Sequence, residues 1–300
     1  MNALLKPNFI TLSLMLGWCA YIPVSQAASK PYSPLSISVS RISSANADVG
    51  DGNLQLQRDT WLFGAKTAIP LNRQWSMSFS VNYDQLDYDW GSRAGTILGN
   101  NIQTWPSVDR YSASIGLSYR PDKHWMFIFA PKIQYAYADG TSFSDAQSYG
   151  VVASGMYRFE NGNMLGLGVA YLNDISEVRT VPYLAVNWQI TDNLKLGNPF
   201  SAGFSGPAGL ELSYRLNDSV DFGFGTSKRT QRFLVKNDDT TMEVDEWVSF
   251  VRAGWAATSS LLVNGYLGYY FNSELELSEP SITEEMDNQL AFAIAAQYKF

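Results

Sequence analysis

The chain contains one histidine, His124, and one cysteine, Cys19, and that scarcity decides most of the chemistry open to it. A hydroxyl nucleophile needs a base beside it. His124 ends the segment Arg120-Pro-Asp-Lys-His124, whose proline and aspartate mark a turn. It is expected there as a solvated turn residue, and the chain is not expected to be an enzyme. Asp84, Asp87 and Asp89 cluster elsewhere with no histidine to accompany them. A metal would have to be held by oxygen ligands alone, which suits Ca²⁺ or Mg²⁺. Two stretches supply such oxygens: Glu274, Glu276, Glu279, Glu284, Glu285 and Asp287, and then Asp238, Asp239, Glu243, Asp245 and Glu246. Neither has the glycine-containing spacing of a calcium loop. Both are expected as solvated, mobile loops, and no cofactor or metal is expected.

The other candidate residues are charges set at alternate positions. Arg110, Arg120, Lys132, Arg158, Glu211, Arg215, Asp221, Arg252 and Lys299 share their spacing with Ser78, Ser80, Ser112, Ser114, Gly116, Gly166, Gly168, Ala291, Ala293 and Ala295. Between them stand large apolar side chains. A strand sends successive residues to opposite faces, so all of these belong to one face. If that face lines a closed barrel, small residues leave space and charged ones keep water in it. Seven basic residues against two acidic ones would give a wall that mildly favours anions. In the competing reading, arginine–glutamate pairs satisfy one another inside a filled barrel.

Those faces require strands. Trp75, Met77, Phe79, Val81 and Tyr83 alternate with serine and asparagine, and Tyr111 to Tyr119, Trp125 to Tyr137 and Tyr149 to Phe159 repeat the pattern. Further alternating runs follow to the end of the chain. Short connections with turn residues, such as 70–73, 120–123, 160–163, 191–193, 216–219 and 258–260, alternate with longer polar ones at 45–53, 85–107, 139–147, 235–243 and 272–288. That asymmetry is expected of short periplasmic turns and long extracellular loops. The loop 85–107, with Trp90 and Trp105, could fold inward and constrict the lumen. The expected architecture is all-β, a single transmembrane antiparallel up-and-down barrel of about 14 strands. Twelve is the alternative, because 194–209 is rich in glycine and proline, which are poor central-strand residues.

Composition agrees with that architecture. Charged residues make up 16% of the chain and aromatic ones 14%, whereas an ordinary globular domain carries about 25% charge. Residues 1–27 read as a cleaved signal peptide: Lys6, an apolar run from Phe9 to Ala20, and Ser25-Gln26-Ala27 before the cut. Cys19 leaves with it, so the barrel domain, 28–300, has neither disulfides nor thiol chemistry. Removing Lys6 leaves 20 basic residues against 28 acidic ones, a balance that argues against a nucleic-acid partner.

The chain ends on Leu290-Ala-Phe-Ala-Ile-Ala-Ala-Gln-Tyr-Lys-Phe300. An edge strand of a soluble sandwich could show this alternation. It resembles more closely the closing strand of Gram-negative outer-membrane proteins. Phe292, Ile294, Tyr298 and Phe300 carry that match, and Ala296 is a weak position in it. The resemblance implies that the barrel-assembly machinery reads these residues. The segment 188–199, then Gly206-Pro-Ala-Gly-Leu-Glu-Leu-Ser-Tyr214, Gly223-Phe-Gly225 and Arg232-Phe233, resembles an uncharacterised domain-of-unknown-function family of outer-membrane β-barrels. That likeness covers about a sixth of the chain and implies fold and location, without an activity to carry over. The expected role is porin-like passage of small polar solutes across the bacterial outer membrane, among lipopolysaccharide. A surface protein binding lipopolysaccharide, phage or a host surface through acidic loops is the alternative.

Overall fold

The computed structural model describes residues 35–300 apart from 51–53, 92–95, 98–101, 176, 200–207 and 237–238. The proposed signal peptide therefore lies outside the described residues. In chain order the strands are β1 (Leu35–Ser44), β2 (Ala47–Val49), β3 (Leu54–Pro70), β4 (Trp75–Trp90), β5 (Thr96–Ile97), β6 (Ile102–Gln103), β7 (Ser107–Tyr119), β8 (Trp125–Ala138) and β9 (Gln147–Arg158). They continue as β10 (Met164–Asp174), β11 (Glu177–Gln189), β12 (Leu194–Gly197), β13 (Ala208–Arg215), β14 (Val220–Leu234), β15 (Thr241–Ala256), β16 (Leu261–Leu277), β17 (Ile282–Met286) and β18 (Gln289–Lys299).

Fourteen of these strands form a closed antiparallel barrel in the order β1, β3, β4, β7 to β16, β18. The last stave closes on the first, from Ser36 opposite Lys299 to Ser44 opposite Ala291, and β1 pairs on its other side with β3. Every stave is paired on both sides over at least part of its length, as a sheet surrounded by lipid requires within the apolar layer. The outer face is apolar: Leu167, Phe224, Leu290 and Phe292 are each more than half exposed. Exposed apolar surface costs about 25 cal/mol per Å² in water, and lipid removes that cost.

At one end, which we call the turn end, the staves are joined by short connections built alike. The Asn72 carboxamide oxygen accepts the Gln74 and Trp75 amides at 2.8 and 2.9 Å. Asp122 accepts those of His124 and Trp125 at 2.7 and 2.8 Å, and Asn217 those of Ser219 and Val220, both at 2.9 Å. Thr258 repeats the motif through its hydroxyl, accepting the Leu261 amide at 2.9 Å. These turn residues act as the sequence suggests, by side-chain mimicry of a backbone turn.

The glycine- and proline-rich segment crosses as two short staves, so the count is 14 and not 12. Where β12 stops, Asn198 takes over the bonding of a strand residue. Its amide nitrogen donates to the carbonyls of Leu184 and Gly209, both at 3.1 Å, and its oxygen accepts the Val186 amide at 2.8 Å.

The opposite, loop end departs from expectation. The stretch 272–288 is largely not a solvated loop, since β16 runs to Leu277 and β17 pairs back onto it, and 235–243 becomes strand at Thr241, where β15 begins. Glu243 and Glu246 are buried in β15. The long 85–107 connection is strand as far as Trp90, and a small β5–β6 hairpin follows. Moreover, β14 leaves the cylinder at its loop end. Leu234 pairs in parallel with Tyr137 of β8, although five staves separate the two strands in the sheet. The barrel is thereby pinched at this end into a smaller ring.

Candidate functional site: the lumen and its plug

The pinched ring is filled with apolar side chains. Leu56, Leu86, Tyr88, Val108, Ala136 and Ala138 meet Phe233, Met242, Val244, Leu275 and Leu277 within it, all buried. Trp105 joins them from the 85–107 connection, its ring edge-on to Trp90 at 5.0 Å and to Phe233 at 5.5 Å. The Trp90 indole N–H donates to the Trp105 carbonyl at 2.8 Å. Tryptophan at both ends of that connection was the signal in the sequence that pointed here.

An ion-pair clasp holds the pinch from outside. Arg232 of β14 binds Glu177 of β11 and Glu243 of β15, each at 2.7 Å. Arg179 of β11 binds Asp174 at 2.8 Å and Glu243 at 3.1 Å. The clasp spans the gap above the short staves β12 and β13. Sequence periodicity could not have found the links from β11 to β14 and β15, because those strands meet only where β14 tilts inward.

Of the residues singled out from the sequence, Glu211, Asp221 and Arg252 are brought together. Arg252 donates to Glu211 at 2.7 Å, to Asp221, and to the Asn264 oxygen at 3.0 Å. Arg110 is buried against Asp84, with Nε at 2.7 Å and Nη2 at 2.6 Å from the same carboxylate oxygen. Lys132 donates to the Gln134 carboxamide oxygen at 2.9 Å. The other four stand apart at the turn end, Lys299 exposed there opposite Ser36. Arg120 Nε lies 3.4 Å from the Met126 sulfur, and Arg215 donates to the Asp192 carbonyl at 2.8 Å. The Arg158 carbonyl faces His124 Nδ1 at 3.0 Å. A carbonyl only accepts, so that histidine nitrogen carries the proton. The His124 ring stacks on Tyr157 at 5.5 Å. Among the described residues no group of three His, Cys, Asp or Glu side chains converges to hold a metal.

One expectation about the inner face is corrected. The small residues there do not all leave space. Ala291, Ala293 and Ala295 are buried beneath Ile42, Phe250 and Tyr266. The Tyr183 ring lies against Gly168, and a Cβ on Gly225 would come within 2.7 Å of the Phe250 ring. Several of the basic residues there are also paired with carboxylates. Register adds Asp84 opposite Arg110 and Glu246 opposite Arg229. The serine wall differs: Ser76, Ser78, Ser112 and Ser114 of β4 and β7 are only half-buried. They bond across the strands, Ser76 to Ser118 at 3.0 Å and Ser80 to Ser114 at 2.6 Å.

A solved outer-membrane channel from Pseudomonas putida F1 superimposes over 95% of this chain and 100% of its own, with a TM-score of 0.50 at 9% identity. The fold is that of a Gram-negative outer-membrane β-barrel. The toluene transporter TodX of P. putida aligns over 89% of this barrel and 90% of its own chain, with a TM-score of 0.41 at 8% identity. The translocator domain of the autotransporter NalP from Neisseria meningitidis aligns over 91% and 90%, with a TM-score of 0.38 at 11% identity. No family model matches the barrel, and no curated protein sequence does.

Proposed function

We propose that this barrel sits in the bacterial outer membrane, the turn end towards the periplasm, and passes small polar solutes through its lumen. The observation that carries this reading is the half-buried serine wall of the turn-end half. Arg120 and Arg158 stand on the same inner face, and Arg158 lies opposite Met164 in register. Arg110, Lys132, Glu211, Asp221 and Arg252 would line the deeper part and Arg215 the mouth. The apolar plug makes the described conformation a closed one, so passage requires movement at the loop end. Export by the leader ending at Ala27, and recognition of Phe292, Ile294, Tyr298 and Phe300 by the assembly machinery, belong to the same reading.

Planar-bilayer recording tests it. Stepwise conductance is expected from the purified barrel, and Arg158→Glu is expected to shift its selectivity towards cations without abolishing it. If no steps appear across a range of salts and voltages, the channel reading is wrong.

A further inference from the structure

Beneath the plug the lumen holds a polar cavity that solute passage does not explain. It measures about 10 Å³, and its wall includes Ser44, Arg58, Tyr88, Arg229, Glu246 and Tyr270. That volume is at the lower limit for one water-sized particle. Arg58 is anchored at one end of its guanidinium: Nη2 donates to Glu246 and to the Gln289 carboxamide oxygen, both at 2.7 Å. Gln289 is fixed in turn by donating to the Leu56 carbonyl at 3.0 Å. Across the cavity Arg229 donates to the Tyr270 hydroxyl at 2.5 Å. The two guanidinium carbons lie 5.1 and 5.7 Å from the same Tyr270 ring.

Two donors in this wall have nothing to bond. The Arg58 Nε–H and the Tyr88 hydroxyl are buried and without a partner among the described residues. Arg58 and Tyr88 are 8% and 5% exposed, so bulk water does not satisfy them. A buried donor left unmade costs about 1–3 kcal/mol, more for a charged group. The wall also carries two guanidinium groups against one carboxylate, Glu246. Unpaired donors, a surplus positive charge and room for one small particle point to one kind of occupant.

We propose that this cavity binds a single small monovalent anion of halide size, chloride under ordinary conditions. A cation is repelled by the arginines; a halide, somewhat larger than water, is accommodated by a small shift of the partly exposed Arg229 side chain, whereas a polyatomic anion such as sulfate is far larger. A water molecule would satisfy the donors yet leave the surplus positive charge without a counter-ion. The anion accepts from Arg58 Nε–H and from the Tyr88 hydroxyl, and so bridges the paired strands β3 and β4 on the lumen side. Halide binding at this cavity is independent of whether the barrel conducts.

Crystals of the whole barrel grown in sodium bromide test this directly. The expected result is an anomalous bromine peak between Arg58 Nε and the Tyr88 oxygen; a water without anomalous signal there overturns the proposal. In detergent solution, the unfolding midpoint is expected to rise with chloride or bromide but not with gluconate at equal ionic strength. Tyr88→Phe keeps the ring and removes the donor, and is expected to weaken halide binding about tenfold. Glu246→Gln keeps an acceptor for Arg58 while removing the competing charge, and is expected to tighten binding about tenfold. A halide effect unchanged in both variants places the ion elsewhere and overturns the proposal as well.

Discussion

Small side chains in this barrel act mainly as seats for large ones. Gly168 of β10 lies opposite Tyr183 of β11 in register, and the tyrosine ring occupies the space a Cβ would need. Gly168→Ala should therefore force the ring aside and cost about 1–3 kcal/mol, as overpacking does. Urea unfolding in detergent would measure it, and Tyr183→Ala in the same chain should remove most of the added cost. An additive double variant would show that the contact is unimportant. A second residue-scale expectation concerns the Asp122 carboxyl. The Trp125 amide, then the His124 amide, hold it below the usual carboxylate range. A depressed value in the folded state means that the turn's hydrogen bonds are complete above that range. They are lost as pH falls through the depressed value. Amide exchange at His124 and Trp125 should accelerate beyond its intrinsic rate as pH falls from neutral through that depressed value. Asp122→Asn, whose oxygen still accepts, should remove that dependence; unchanged protection of the wild-type amides would refute the assignment. Seats of the Gly168 kind are invisible in sequence, where glycine and alanine on one face signify space. What fills them comes from a neighbouring strand, and periodicity carries no information across strands.

At the scale of elements, the legible strands were those with large residues on one face and small ones on the other, such as β4, β7 and β18. β3 was harder to see: its loop-end half places Leu56, Arg58 and Thr60 on the inner face, so both faces mix apolar and polar types. The acidic segments misled for a related reason. Glu274 and Glu276 point away from the plug while Leu275 and Leu277 point into it. A strand with one charged face counts as a loop when only charge is counted. The closing strand is legible throughout, and its last residue makes a limited set of contacts. The Phe300 amide donates to the Leu35 carbonyl at 3.1 Å, and its ring stands edge-on to Tyr298 at 4.9 Å. Those contacts are too few to decide stability in a barrel of 14 staves. Deleting Phe300 should consequently leave the melting point of refolded protein within a few degrees. It should nonetheless lower the amount assembled in the outer membrane, with export to the periplasm unchanged. Normal outer-membrane levels of the truncated chain would count against an assembly role for this residue.

For the whole molecule, the decisive feature is the contact between two staves that are not neighbours. A closed sheet of 14 staves could enclose a continuous lumen, yet at the loop end β14 reaches Tyr137 of β8. The plug fills the ring so formed, and the Arg179–Arg232–Glu243 clasp holds it from outside. If solute passes along the lumen, Leu234 and Tyr137 must separate. A Tyr137→Cys, Leu234→Cys pair would lock them with a disulfide, since paired strands bring Cα atoms within the span that such a bond allows. The chain's one natural cysteine, Cys19, lies in the proposed leader, so no other thiol competes. Under oxidising conditions the locked barrel should lose at least about nine-tenths of its conductance, recovered on adding a reductant, a change of roughly 1.4 kcal/mol or more in the open–closed balance. The reduced variant serves as its own control for folding. Equal conductance in both redox states would show that the pinch is a permanent structural closure. Solute would then have to leave by another route, and the plug would be a core and not a gate.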